Sequence, residues 1–97
     1  MGKFVLTNKA KSDLKSIAKY TSKNWGRKQR NKYLYVMDGT FCDLAEEALI
    51  GQKCFNISNK YYKYQVGKHI IFYHKIEKNM IEVVRILHQK MDIESHL

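Results

Sequence analysis

The hydrophobic period of this chain changes once, at Gly51, and that change restricts the fold more than any other feature. Before Gly51 apolar and small residues recur every three or four positions; after it they alternate. Ala10, Leu14, Ile17, Ala18 and Thr21 lie on one face of an amphipathic helix, for which Thr7 is a suitable N-cap. Asn24-Trp25-Gly26 interrupts the pattern. Tyr33, Met37, Phe41, Leu44 and Ala48 then stripe a second helix from about Arg27 to Leu49, with Gly51 placed to end it. Two helices separated by so short a break should pair as an antiparallel hairpin.

The remainder reads as strands. Lys3–Leu6 is a short apolar run before the first helix. Cys54–Ser58, Tyr61–Val66, His69–Ile76 and Met80–His88 follow Gly51, with Gly67 and Glu77-Lys78-Asn79 as turns. The expected architecture is α+β: an N-terminal strand, a helical hairpin, then an antiparallel meander packed on the helices. Both faces of the last two strands are apolar, so alternation alone does not choose the buried face. Ninety-seven residues without repeats or linkers are expected to form a single domain, 1–97. A chain of that size buries roughly 60–68% of its unfolded surface, enough for independent folding with little margin.

No apolar run approaches a membrane span, and Met1–Thr7 has no signal-like core, so the expected location is cytoplasmic. Cys42 and Cys54 are then expected to be reduced. With His69, His74, His88 and His96 dispersed, no metal site or cofactor is expected. Charge is more telling. Eighteen Lys and Arg against nine Asp and Glu leave +9, which favours encounters with polyanions or acidic partners without specifying a fold.

That charge is concentrated. Lys11, Lys15, Lys19 and Lys23 repeat every four residues along the first helix, a spacing at which like charges repel. The second helix opens with Arg27, Lys28, Arg30 and Lys32 and closes with Asp43, Glu46 and Glu47, both against its dipole. Lys19, Lys23, Arg27, Lys28 and Arg30 therefore surround Trp25 at the hairpin tip. A solvated, salt-screened face and a docking surface for an acidic partner are both compatible with this pattern.

The most specific signal is an ordered set of short motifs. Tyr61-Tyr62-Lys63-Tyr64, Gly67-Lys68-His69, Ile71-Phe72-Tyr73 and Val84-Arg85-Ile86-Leu87-His88-Gln89-Lys90-Met91-Asp92 follow one another in the second half. Leu6-Thr7, Ala10, Asp13-Leu14, Ile17, Tyr20, Trp25-Gly26, Gln29, Tyr33 and Leu44-Ala45 precede them. Together they resemble the ParE-type toxins of the RelE superfamily over nearly the whole chain. Two positions depart from that pattern: Ala48 where a proline is common, and Arg30 where alanine is common after the glutamine. The resemblance implies a RelE-like fold and the toxin half of a type II toxin–antitoxin pair. It also implies inhibition of DNA gyrase and neutralisation by a cognate antitoxin. RelE-type relatives instead cleave messenger RNA on the ribosome.

Chemistry bears on that alternative. Cleavage through a 2′-hydroxyl needs an acid, a base and cations on the phosphate. His88 and Tyr73 could serve as acid and base, with Arg85 and Lys63 on the phosphate. Arg85 and His88 are three residues apart, so strand geometry points them to opposite faces unless a bulge or bend intervenes. Each also has a structural reading: Arg85 paired with a carboxylate, His88 closing a strand, Tyr73 and the other tyrosines packing the sheet. The preferred reading is an inhibitor that binds and has no catalytic residues. A plain DNA-binding module is disfavoured because no DNA-recognition motif is present, so no sequence-specific DNA contact by the chain alone is expected.

The expected partners follow. An acidic antitoxin, ParD- or PaaA-like and folding on binding, should contact Lys11, Lys15 and Lys19, with Tyr33, Met37 and Phe41 offering a groove. Gyrase should contact the C-terminal segment from Arg85 to Leu97, with Arg85, His88, Lys90, Met91 and Asp92 as the first candidates.

Overall fold

The structure is a computed structural model and describes residues 2–54 and 60–91. Strand β1 (Lys3–Leu6) leads into α1 (Asn8–Trp25) and α2 (Arg27–Ala45), followed by β2 (Gln52–Lys53), β3 (Tyr62–Val66), β4 (His69–Glu77) and β5 (Met80–His88). The sheet order is β1-β5-β4-β3-β2. β1 runs parallel to β5, and every other pair is antiparallel. This is the α+β arrangement expected from the order of helical and strand patterns.

Local chemistry sets the helix ends. Thr7 Oγ1 accepts from the Ala10 amide at 3.1 Å and donates to the Val84 carbonyl at 2.7 Å, so one hydroxyl caps α1 and ties it to β5. At Gly26 the backbone turns to φ +93°, a conformation that favours glycine, and the chain reverses into α2 within one residue.

The main core lies between the helices and one sheet face. Ala10 and Ile17 of α1 and Met37, Phe41, Leu44 and Ala45 of α2 meet Ile71, Tyr73, Ile81, Val83 and Ile86. Phe4 of β1 packs on Phe41 with ring centroids 5.0 Å apart. A smaller cluster of Cys54, Phe72 and Leu87 forms separately, with Tyr61 and Ile70 against it. A register shift explains why the last two strands look apolar on both faces. Phe72 pairs with Arg85 but Tyr73 pairs with Val83, so Val84 is extra and the alternation reverses there. Val83 and Ile86, three apart, both reach the main core.

Several expected boundaries move. α2 ends at Ala45 rather than Leu49, because Glu47 turns to φ +63° and the Leu49 amide donates back to the Asp43 carbonyl at 3.2 Å. Ala48 is therefore exposed instead of extending the stripe. Gly51 does not end the helix. It is buried, its amide donates to the Tyr73 hydroxyl at 3.0 Å, and an added Cβ would collide with that hydroxyl and lie 2.9 Å from the Lys63 carbonyl. The strand expected at Cys54–Ser58 starts earlier, at Gln52–Lys53; Cys54 follows it, and residues 55–58 lie outside the described residues. β4 continues to Glu77, so the following turn is one residue shorter than expected. Among the described residues no helix is long and apolar enough to cross a membrane.

Candidate functional site

β1 pairs with β5 only along Met80–Val83, leaving the rest of that β5 edge without a strand neighbour. α1 takes over. Thr7 donates its amide to the Val83 carbonyl at 3.1 Å, and Asp13, one and a half turns into the helix, accepts from the Ile86 amide at 2.9 Å. Asp13 also grips the Arg85 guanidinium from both oxygens: Nε donates at 2.8 Å and Nη2 at 2.9 Å. Both side chains are largely buried, and the hydrogen bond that Arg85 donates to Asp13 raises the Arg85 pKa further, so the guanidinium stays charged.

Beside this bridge α1, the start of α2 and the end of β5 border an open groove of about 900 Å³. Its helical wall carries Tyr20, Trp25, Gln29 and Tyr33; its sheet wall carries Lys68, His69, Arg85, His88 and Met91. The register keeps Arg85 opposite Phe72 and His88 opposite His69 on the next strand. Arg85 nevertheless lines the groove with His88, because it turns to Asp13 at the uncovered edge. The bulge lies at Val84, before Arg85 rather than between the two residues. The expected separation to opposite faces therefore does not keep them apart.

The groove floor has a short polar chain. Tyr33 Oη lies 3.0 Å from the Val66 carbonyl and 2.8 Å from His69 Nδ1. A hydroxyl has one proton, so when Tyr33 donates it to Val66, His69 Nδ1 donates to the Tyr33 oxygen and Nε2 keeps its lone pair. Burial lowers the His69 pKa, and His88, edge-on at 5.6 Å between centroids, lowers it further. Burial also raises the Tyr33 phenol. His88 Nδ1 accepts from the Lys90 amide at 3.2 Å, which leaves a neutral His88 protonated at Nε2. The chain beyond β5 is held in place as well: the Gln89 amide donates to the Lys68 carbonyl and the Met91 amide to the His88 carbonyl, both at 2.8 Å.

The four residues considered for RNA cleavage do not assemble. Arg85 and His88 line the groove, whereas Tyr73 lies in the core with its hydroxyl on the Gly51 amide, where burial raises its pKa. Lys63 sits on β3 between Gln52 and Phe72, outside the groove lining. Of the gyrase-contact candidates, Arg85, His88 and Met91 share the groove and Lys90 is exposed beside them; Asp92 lies outside the described residues.

The antitoxin-contact candidates divide. Lys11, Lys15 and Lys19 are exposed along α1. Met37 and Phe41, expected to offer a groove, are core residues at 0% and 1% exposure, because their stripe is the one that packs on the sheet. They contribute only the floor of a shallower depression between the helices, about 560 Å³, bordered by Leu14, Lys15, Leu34, Tyr35 and Asp38. Tyr33 belongs to the large groove instead. Asp13 and His69 received no role from the sequence. Asp13 alone interrupts the basic run of α1, and that isolation was the available signal. Among the described residues no group of three or more His, Cys, Asp or Glu converges as a metal site would require.

A family model described as the ParE toxin of the type II toxin–antitoxin system parDE matches residues 4–93, which span the core, the groove and both its walls. The chain belongs to the ParE toxin family. Toxin ParE1 of Mycobacterium tuberculosis is 33% identical over 95 residues, covering 98% of this chain and 97% of its own length. Toxin ParE1 of Caulobacter vibrioides is 32% identical over 97 residues, covering 100% and 99%. In solved structures, a chain of the chromosomal ParDE system from P. aeruginosa superposes with a TM-score of 0.70 at 17% identity, covering 91% of this chain and 96% of that one. A chain of the RelBE2 toxin–antitoxin complex from Mycobacterium tuberculosis gives 0.63 at 18%, covering 90% and 96%. At such identities the structural likeness speaks to fold. It agrees with a ParE-family toxin built on the RelE-like frame, and membership makes this chain a type II toxin.

Proposed function

We propose that this ParE-family toxin acts by binding DNA gyrase through the sheet end of the groove, at His88, Lys90 and Met91, and performs no chemistry of its own. It acts in the cytoplasm and is held inactive there by an acidic cognate antitoxin. The observation that carries this reading is the dispersal of the nuclease candidates. Arg85 is committed to Asp13, and Tyr73 Oη is buried on the Gly51 amide, so neither is presented to a scissile phosphate. What remains at the groove's end is a contact surface: an exposed Met91 beside His88 and Lys90, fixed by backbone bonds to the β3–β4 turn and the end of β5.

The antitoxin reading draws on the charge of α1 and on the two solved relatives, which are described as toxin–antitoxin systems. Lys11, Lys15 and Lys19 present a basic row beside the inter-helix depression. An acidic helix laid there would relieve their mutual repulsion. Tyr35, 81% exposed, would lose water contact in the same step.

Purified toxin should be added to a gyrase supercoiling reaction and, in parallel, to cell-free translation. Loss of supercoiling with intact messenger RNA is expected. Cut messenger RNA with working gyrase would overturn the reading and direct attention to His88 as an acid or base.

A further inference from the structure

Residues 14–37 contain Lys15, Lys19, Lys23, Arg27, Lys28, Arg30 and Lys32, and no carboxylate. The one-residue reversal at Gly26 folds this run on itself and brings the end of α1 beside the start of α2. Lys19, Lys23, Arg27 and Lys28 are exposed there, and their side chains make no hydrogen bond or ion pair to any described residue. Two large rings stand among them without cover: Trp25 at 71% exposure and Tyr20 at 64%. Both belong to the groove wall, and the opposite wall carries Lys68 in the turn between β3 and β4. Asp13 is the sole carboxylate among the described groove residues, and Arg85 neutralises it.

Cations alone would suit any polyanion, whereas the rings narrow the choice. An indole face carries the negative lobe of its quadrupole, so a carboxylate gains nothing by lying on it. A nucleobase does gain, because flat faces stack irrespective of base identity. Bases offer their faces only when unpaired. We propose that the hairpin tip binds single-stranded nucleic acid, with phosphates on Lys23, Arg27, Lys28 and Lys68 and bases stacked on Trp25 and Tyr20. Contacts of this kind are sequence-tolerant, and they need neither gyrase nor antitoxin.

Trp25 is the single tryptophan of the chain, so its fluorescence reports on the tip directly. The free toxin should be titrated with oligo(dT), oligo(rU) and polyglutamate across a salt series. Oligonucleotide is expected to quench Trp25, and binding should weaken steeply with salt. Trp25→Ala, followed with a labelled oligonucleotide, should bind roughly ten- to a hundredfold more weakly. Neutralising three cations in Lys23→Gln/Arg27→Gln/Lys28→Gln should reduce the logarithmic salt slope by about two. Quenching by either oligonucleotide supports the proposal, and the stronger of the two identifies the strand type. Absence of quenching, or polyglutamate binding as tightly as oligonucleotide, would overturn it. The gyrase assay reads a different outcome, so one proposal can fail while the other stands.

Discussion

The two ends of the helical hairpin have opposite surfaces. At the closed end, where α2 finishes beside β1, side chains interlock: Phe41 on Phe4, Gly51 under Tyr73, and the Gly2 amide donating to Glu46 Oε1 at 2.6 Å. At the tip, Tyr20 and Trp25 face solvent among cations and border the open groove. The Asp13–Arg85 bridge lies between the two. The closed end holds the fold, and the tip and groove are left free for other molecules.

Truncation at the closed end should have the largest effect. Phe41→Ala removes a ring that is 1% exposed and should cost about 3–5 kcal/mol in urea denaturation. A loss below about 1 kcal/mol would mean that the closed end is not the mechanical core. At the boundary, Asp13→Ala removes the carboxylate that holds both a largely buried guanidinium and the Ile86 amide, for a cost of about 3 kcal/mol. Asp13→Asn should recover part of it by keeping an acceptor for that amide. If both variants melt alike, the charge rather than the backbone contact dominates the bridge.

Acidification should sharpen the contrast through His69. Its folded pKa is lowered by burial and by His88, whereas the unfolded side chain titrates near about 6.5. The unfolded chain therefore binds more protons as pH falls below that value, so the contribution of His69 is present above it and lost on acidification down to the folded pKa. Denaturation midpoints at pH 7.5 and 5.5 should differ more for the native chain than for His69→Asn; equal differences would remove His69 as the source. Smallest of all, Trp25→Ala should change stability by less than about 0.5 kcal/mol. A larger loss would show that the tip is packed after all.

The closed end was more legible in the sequence than the groove. Period and capping located Thr7, the stripe from Tyr33 to Leu44 and the final hairpin, because each depends on neighbours in sequence. The end of α2 was misplaced because a non-glycine residue, Glu47, takes the left-handed turn, so Gly51 drew the boundary too far. Met37 and Phe41 were assigned correctly to a common face, but the sheet rather than a partner covers it. The groove depends on pairings across 72 residues, such as Asp13 with Arg85, and on a register shift at Val84. Neither leaves a periodic trace. His69 was unremarkable in sequence until Tyr33 and His88 converged on it.

Direct binding to purified gyrase holoenzyme, measured by titration calorimetry with the native toxin and with His88→Ala/Met91→Glu, tests the central claim most directly. His88 ends β5 and Met91 lies just beyond it, both outside the main core, so the variant should melt within a few degrees of the native chain. Saturable binding by the native toxin, weakened at least about tenfold in the variant, is expected. Equal binding by both would place the contact elsewhere on the molecule, and no binding by the folded native toxin would contradict the account outright.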